Sequence, residues 1–494
     1  MPHLENAYHQ ITRNTAFLFF AQIVTKIIGF VTSLLLANYL DVEHFGTYGF
    51  AIAFSSLFIP LCDIGVDTFV VRELAARPER KTEFTGTALL SKAVFSVFAF
   101  LVISGAIFST SYDREKIIFV VLGAGITVLR TFSATFTAFF RGAQLMSHDA
   151  RSAIVAKIIE IGGLLIGIAY GLSLFQLLLV LLASSLVQLL YTGFVAQRHG
   201  FLRHMRLDIG AWNHLLRGGS LFALTGLSVN IYFQIDSVML SFMAGDGAVG
   251  LYRSVYNLVF ALSGLSAAFV IAMFPMIAKS HEHDLPRAVQ AAKNVIVYSL
   301  MLALPIAVGG TVLAESIIST LYRSSFLTAS LTLQILVWWI PIVYVTNALG
   351  YILGAANLQK IVLAVAFMNA VLNVSLNVVL IPLFRENGAA ASTVITESMG
   401  LMILAFFVKQ RFGLVFDSPK IIRLIFANLV FLPLIFLSPS YSFPLLMIGG
   451  GVVYVLFLFA LKLLSVEDLQ SLAGYLRTGS KKHSIPPGSS DPFG

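Results

Sequence analysis

The chain has 494 residues, of which 58% are hydrophobic and only 11% are Asp, Glu, Lys or Arg, with a formal charge of +8. A soluble domain carries about 25% charged residues, so the composition excludes a water-soluble globule and predicts an all-α integral membrane protein. The single cysteine, Cys62, excludes disulfides and cysteine-ligated zinc. The basic excess lies between apolar runs, so it reads as topology and not as nucleic-acid binding.

Long apolar runs recur from Thr15 to Leu464, and each must be helical in hydrocarbon because unpaired backbone groups are costly there. Fourteen spans are expected, at 15–38, 45–71, 84–109, 117–140, 153–171, 174–197, 217–243, 250–278, 293–321, 329–353, 360–382, 388–408, 421–437 and 443–464. Residues 1–14 form an N-terminal segment with no cleavable leader expected, because Arg13 precedes an apolar run too long for one. Spans one to six (15–197) make an N-terminal lobe, 198–216 a linker, and 217–408 a C-terminal lobe. The segment 421–464 adds two helices, and the tail 465–494, rich in Pro and Gly at its end, is expected to be partly disordered.

Alternate loops differ sharply in charge. Segments on the side of the N-terminus hold 23 Lys and Arg against 5 on the other, which predicts that both termini are cytoplasmic in a cell inner membrane. An internal repeat is also visible. Gly46 and Tyr48, after the first span, correspond to Gly250 and Tyr252 after the seventh, and RGAQ from Arg141 corresponds to GAAN from Gly354. Two six-helix halves of equal orientation, related by an axis along the membrane normal, would leave a cleft between them, with the last two helices appended to this twelve-helix core.

No enzyme motif survives inspection: neither a nucleophile elbow, nor a zincin helix, nor a phosphate-binding loop is present. The ten His lack ligand spacing, so no metal site is expected. The informative residues are polar ones inside spans, because a charge at mid-bilayer costs at least about 2.5–3.5 kcal/mol and usually faces a cavity or a partner. Gln22, Lys26, Gly29 and Ser33 share one face of the first helix; Thr127, Arg130, Ser133 and Thr137 share one face of the fourth. These stripes read as a hydrated cationic interior, with interhelix ion pairs as the alternative. Lys92 is a third basic candidate, with snorkelling as its alternative, and Lys157 has Glu160 within pairing reach at i+3. Asp63 and Asp67 share a face near Arg72 and read as a gate or an anchoring ion pair.

In the second half, Asn230 and Gln234 lie on one face of the seventh helix, beside Asp236, and Asn369, Asn373 and Asn377 form an amide ladder on the eleventh. Such amides suit sugar hydroxyls or interhelix glue. Asp236 and Glu397 are candidate H+ or Na+ carriers, or counter-charges to the basic groups.

The opening NTAFLFFAQIVTKIIGFVTSLLLANYLDVEHFGTYGF resembles that of the O-antigen and exopolysaccharide flippases of the multidrug/oligosaccharidyl-lipid/polysaccharide exporter superfamily. So do DIGVDTFVVREL, QIDSVMLSFMAGDGAVGLYRSVYN, the Phe274–Pro275 pair, LGYILGAANLQK and NVVLIPLFRENGAAASTVITES, in order over residues 10–465. The resemblance implies a MATE-like two-lobe bundle that works by alternating access and no enzyme activity. It implies transport of a polyprenyl-diphosphate-linked oligosaccharide to the outer leaflet, beside glycosyltransferases and a polysaccharide polymerase. Lys26, Arg130 and Lys92 would then hold the diphosphate, and Gln22, Asn230, Gln234 and the three ladder amides the sugars. A cation-coupled multidrug exporter is the alternative, although the first helix lacks the acidic residue those siblings use.

Overall fold

The computed structural model describes residues 24–77, 81–203, 209–283, 285–356, 358–413, 416–433 and 443–464. The first 23 residues, with Gln22 among them, and the tail 465–494 lie outside the described residues. Regular structure within them is helical throughout, with no strand among the described residues.

Helix α1 (Val24–Tyr39) passes through a short turn into α2 (Val42–Leu57), which Asp41 caps by accepting from the His44 amide at 2.7 Å. The second expected span is broken. α3 (Ile59–Asp63) carries Pro60 in its first turn, and α4 (Val66–Ala76) restarts after Ile64 and Gly65, both left-handed at φ 42° and 77°. A β-branched residue in that region is strained and persists only where its surroundings hold it.

The N-terminal lobe continues with α5 (Lys81–Phe108), α6 (Arg114–Gly142), α7 (Met146–Ala169) and α8 (Leu174–Arg198). The second lobe begins with α9 (Ile209–Ala244), α10 (Asp246–His283) and α11 (Leu285–Val312). It ends with the short α12 (Ala314–Leu321) and α13 (Ser330–Leu336), then α14 (Trp339–Ala355) and α15 (Gln359–Phe412). α15 folds back on itself at Arg385, where φ 51° and ψ −128° leave the helical region. Its two arms run antiparallel, with Asn369 against Gly400 and Gly388 against Leu380. The appended α16 (Ser418–Asn428) and α17 (Phe443–Ala460) lie against α11, where the Tyr454 hydroxyl donates to the Met301 carbonyl at 2.8 Å.

Eight helical segments among the described residues are long and apolar enough to cross a membrane. At 1.5 Å per residue the 24 residues of α7 reach about 36 Å, more than the ~30 Å of hydrocarbon. Their outward side chains are apolar: Phe98 and Leu101 on α5, Ile166 on α7, Leu190 on α8 and Phe406 on α15 are all more than half exposed. Such a belt has no place on a monomeric soluble protein. The chain is a multi-pass membrane protein.

The lobes meet where α2 crosses α10. A methyl group on Gly46 would overlap the Asp246 carbonyl, and one on Gly250 would overlap the carbonyl of Val42. Each repeat's glycine therefore admits the other lobe's backbone, as small residues do between membrane helices. Polar bonds reinforce the seam. The Lys116 ammonium pairs with Asp246 at 2.7 Å, and the Thr47 hydroxyl donates to the same carboxylate at 2.8 Å.

Candidate functional site

Beside this seam the lobes enclose a cavity of about 370 Å³. From the N-terminal lobe, α1 supplies Lys26, Thr32 and Ser33, α2 supplies Tyr48, α6 supplies Arg130, and α7 supplies Lys157 and Glu160. The C-terminal lobe contributes Arg253, Asn257 and Phe260 from α10. Four cations against one carboxylate leave a net formal charge of +3.

Each cation is held differently. The Lys26 ammonium lies 4.6 Å from the centroid of the Phe260 ring, a cation–π contact made across the lobes. Gly264 makes room for it, because a methyl there would press on the Lys26 stem. The Arg253 guanidinium donates to the Gln234 side-chain oxygen at 3.0 Å and to the Gly49 carbonyl at 3.4 Å. Among the described residues, neither its buried Nε nor the buried Thr32 hydroxyl has a hydrogen-bond partner. Neither Lys26 nor Arg253 has a carboxylate partner among the described residues. Arg130 and Lys157 share one: Glu160 accepts from each at 2.8 Å, and Arg130 also donates to Ser185 at 3.2 Å. The Asn257 amide donates to Ser33 at 2.7 Å, a second bridge between the lobes.

Lys26 and Arg130 thus sit on the cavity as the stripes suggest, together with Gly29 and Ser33. Ser133 and Thr137 do not; both are buried and donate to carbonyls of their own helix. Lys92 requires correction. It is fully buried, neither snorkelling nor on the cavity, and its ammonium binds Asp63 at 2.9 Å and Asp67 at 3.3 Å. The pairing also replaces the expected one with Arg72, which meets Glu73 instead at 3.3 Å. The reason lies in the break between α3 and α4. It turns both aspartates toward α5, where Thr135 of α6 adds a hydroxyl donor to Asp67 at 2.6 Å.

The amides are also displaced from their expected roles. Asn230 donates to the Gly226 carbonyl of its own helix. Gln234 orients Arg253. Asn373 and Asn377 are fully buried inside the C-terminal lobe, away from the cavity. There the Asn377 amide donates to Asp236 at 2.6 Å and to Asn373 at 3.1 Å, while Asn369 packs on Gly400. Asp236 further accepts from Tyr252 at 2.6 Å and Thr393 at 2.8 Å. One helical turn away, Glu397 accepts from Tyr232 at 2.7 Å, and the Trp339 indole donates to that tyrosine at 3.3 Å. Neither carboxylate has a basic partner among the described residues.

Arg253 is the functional candidate that the sequence reading missed, because it falls at a span edge and counts there as a loop charge. Its signal is the repeat itself: it directly follows Tyr252, on the face that Gly250 brings against α2.

The sequence pattern of the polysaccharide biosynthesis protein family matches residues 11–281. Among curated proteins, the chain is 22% identical to an uncharacterized membrane protein of Methanocaldococcus jannaschii, over 90% of this chain and 94% of that one. It is 25% identical to the lipid II flippase MurJ of Bacillus subtilis, over 56% of each chain. It is 24% identical to the probable low-salt glycan biosynthesis flippase Agl15 of Haloferax volcanii, over 38% of this chain and 40% of that one. Among solved structures, a lipid II flippase MurJ in an inward closed conformation superposes with TM-score 0.75 at 16% identity, covering 89% of this chain and 97% of that one. An inward-facing multidrug resistance MATE transporter superposes with TM-score 0.66 at 14% identity, covering 79% and 95%. The fold is that of the MATE-like exporters.

Proposed function

The chain belongs to the polysaccharide biosynthesis protein family, and on that premise we propose that it flips a polyprenyl-diphosphate-linked oligosaccharide from the cytoplasmic to the outer leaflet by alternating access. The observation that carries this reading is the charge of the interlobe cavity. Lys26 and Arg253 approach it from opposite lobes without carboxylates, and Arg253 keeps a buried Nε–H free to donate. A diphosphate is the complementary ligand, because guanidinium and ammonium groups bind phosphoryl oxygens through short charge-assisted bonds. Thr32, Ser33 and Asn257 add donors and acceptors suited to sugar hydroxyls, while the polyprenyl tail stays among lipids between helices.

The same charge disfavours the multidrug alternative. A cationic drug would enter a cavity already at +3, against repulsion that a low-dielectric wall strengthens. With the Gly46–Gly250 seam closed on the side of the sparsely charged loops, the path to the outer face is shut if the Lys- and Arg-rich loops are cytoplasmic. Both termini are then cytoplasmic, in the cell inner membrane. The product would go to a polysaccharide polymerase, and the substrate would come from membrane glycosyltransferases. No step calls for bond chemistry by the protein.

Energy input is assigned to Asp236. One carboxylate with the Thr393 hydroxyl and the Asn373 and Asn377 amides is an oxygen-rich set with a single negative charge, suited to Na+ or H+. Among the described residues the buried Asn377 oxygen has no hydrogen-bond partner, which leaves it available as a donor atom to a cation.

The test is translocation in proteoliposomes of lipid-linked sugar with a diphosphate, against its monophosphate analogue and a cationic dye. Flipping of the diphosphate lipid alone is expected. Export of the dye without flipping would replace this reading with the multidrug one.

A further inference from the structure

The four cations of the cavity form two classes. Lys26 and Arg253 face it with no acid of their own, whereas Arg130 and Lys157 are held by one buried carboxylate, Glu160, at 2.8 Å from each. Both held cations line the cavity and keep exposed side-chain surface, 37% and 26%, while the Glu160 side chain is exposed by only 10%. Resting on the flippase reading above, we infer that Glu160 is a built-in counter-anion that the substrate diphosphate displaces on arrival and that reclaims Arg130 and Lys157 when the substrate leaves.

Three physical requirements favour such an exchange. With Lys26 and Arg253 already unpaired, an empty carrier would pay still more to leave Arg130 and Lys157 bare at membrane depth, and Glu160 neutralises half the charge of that second pair. The carboxylate also fixes the Arg130 fork and the Lys157 stem in one arrangement, so less side-chain entropy is lost when phosphoryl oxygens take over the same donors. Finally, a cavity with four free cations would bind a diphosphate too well to release it. Binding that is equally strong before and after the transport step adds nothing to its rate, and a carboxylate returning to its partners competes with the bound anion.

Ser185 shows how the exchange is positioned. Its hydroxyl accepts from Arg130 Nε at 3.2 Å while one terminal nitrogen binds Glu160, so the guanidinium keeps its orientation when Glu160 is displaced. Glu160 is therefore a positioning residue. It is contrasted with Asp63 and Asp67, whose cation Lys92 has no exposed surface and does not line the interlobe cavity.

The test measures equilibrium binding of undecaprenyl diphosphate to the full-length protein in nanodiscs, and flipping of the glycan-bearing lipid over a concentration series. Glu160→Gln keeps the size of the side chain and removes its charge. It is expected to bind undecaprenyl diphosphate about tenfold more tightly, to lower the half-saturating concentration, and to turn over more slowly at saturation. Weaker or unchanged binding with intact protein would show a structural brace and overturn the exchange. A second arm guards against a misfolded single variant: Lys157→Gln alone weakens binding, and adding Glu160→Gln restores it. A double variant weaker than either parent would overturn the proposal. Failure of the wild-type protein to bind undecaprenyl diphosphate would instead remove the flippase reading, and this inference with it.

Discussion

The two lobes share an architecture but hold the carboxylates deepest within them in opposite ways. In the N-terminal lobe each buried carboxylate has a cation: Asp63 and Asp67 have Lys92, Asp149 has Arg141 at 2.5 Å, and Glu160 has Arg130 and Lys157. In the C-terminal lobe Asp236 and Glu397 are buried among hydroxyls and amides, and Arg253 is buried against neutral oxygens. A paired charge is one a static fold can keep. An unpaired one is tolerated only where something else supplies the missing charge. The comparison thus separates the braced carboxylates of the N-terminal lobe from Asp236 and Glu397, which wait for a cation, while Lys26 and Arg253, one from each lobe, wait for an anion.

The largest expected effect tests the braced side. Lys92→Met leaves two carboxylates facing each other across the strained Ile64–Gly65 break. The loss is expected to be about 3–5 kcal/mol, as for any buried pair deprived of one partner. Thermal unfolding in detergent would show it as a fall in midpoint and in yield. An unchanged midpoint would mean the triad is hydrated and the contrast between lobes is false.

Next in size is the seam. Gly250→Val forces a branched side chain into the Val42 carbonyl, so the closed contact between α2 and α10 is lost. Cysteine labelling from outside the cell should then reach the cavity, and transport should stop while the protein remains in the membrane. Continued transport would show that the seam need not close.

Asp236→Asn is expected to change stability by no more than about 1–2 kcal/mol, because the amide keeps partners among Tyr252, Asn377 and Thr393. Its effect belongs to coupling: the dependence of flipping on a Na+ or H+ gradient should vanish. A gradient response equal to wild type would move the coupling site elsewhere, with Glu397 the next candidate.

The smallest effect is expected from Tyr232→Phe, which removes one donor to Glu397 and leaves the ring in place, at about 1.5 kcal/mol, the low end for a bond to a charged group. A change as large as that for Lys92→Met would mean Glu397 belongs to a brace after all.

Much of the architecture was legible in the sequence. Apolar length and the distribution of Lys and Arg define a membrane bundle in two halves, and the echo of Gly46 in Gly250 marks the residues that later touch across the lobes. Local spacing also gave the Lys157–Glu160 pair, because i, i+3 neighbours on a helix must meet. What spacing could not give is contact between distant helices. Lys92 looks like a free cation along α5, and only the break between α3 and α4 delivers its two aspartates. The amide ladder of α15 reads equally as lining or as glue, and the fold of α15 back on itself turns it inward. Arg253 was hidden by its place at a span edge, where α10 extends farther than hydropathy alone indicates. Gln22 lies outside the described residues, so its place beside Lys26 rests on periodicity.

The claim on which the account depends is that the cations of the interlobe cavity handle an anionic lipid headgroup. It is tested most directly by measuring flipping of a polyprenyl-diphosphate-linked oligosaccharide in proteoliposomes by Lys26→Ala/Arg253→Ala beside the wild type, at matched amounts of folded protein. Each lost charge-assisted bond is expected to cost about 1.5–3 kcal/mol, so the account requires the double variant to flip at least about a hundredfold more slowly. Wild-type flipping by that variant would contradict it.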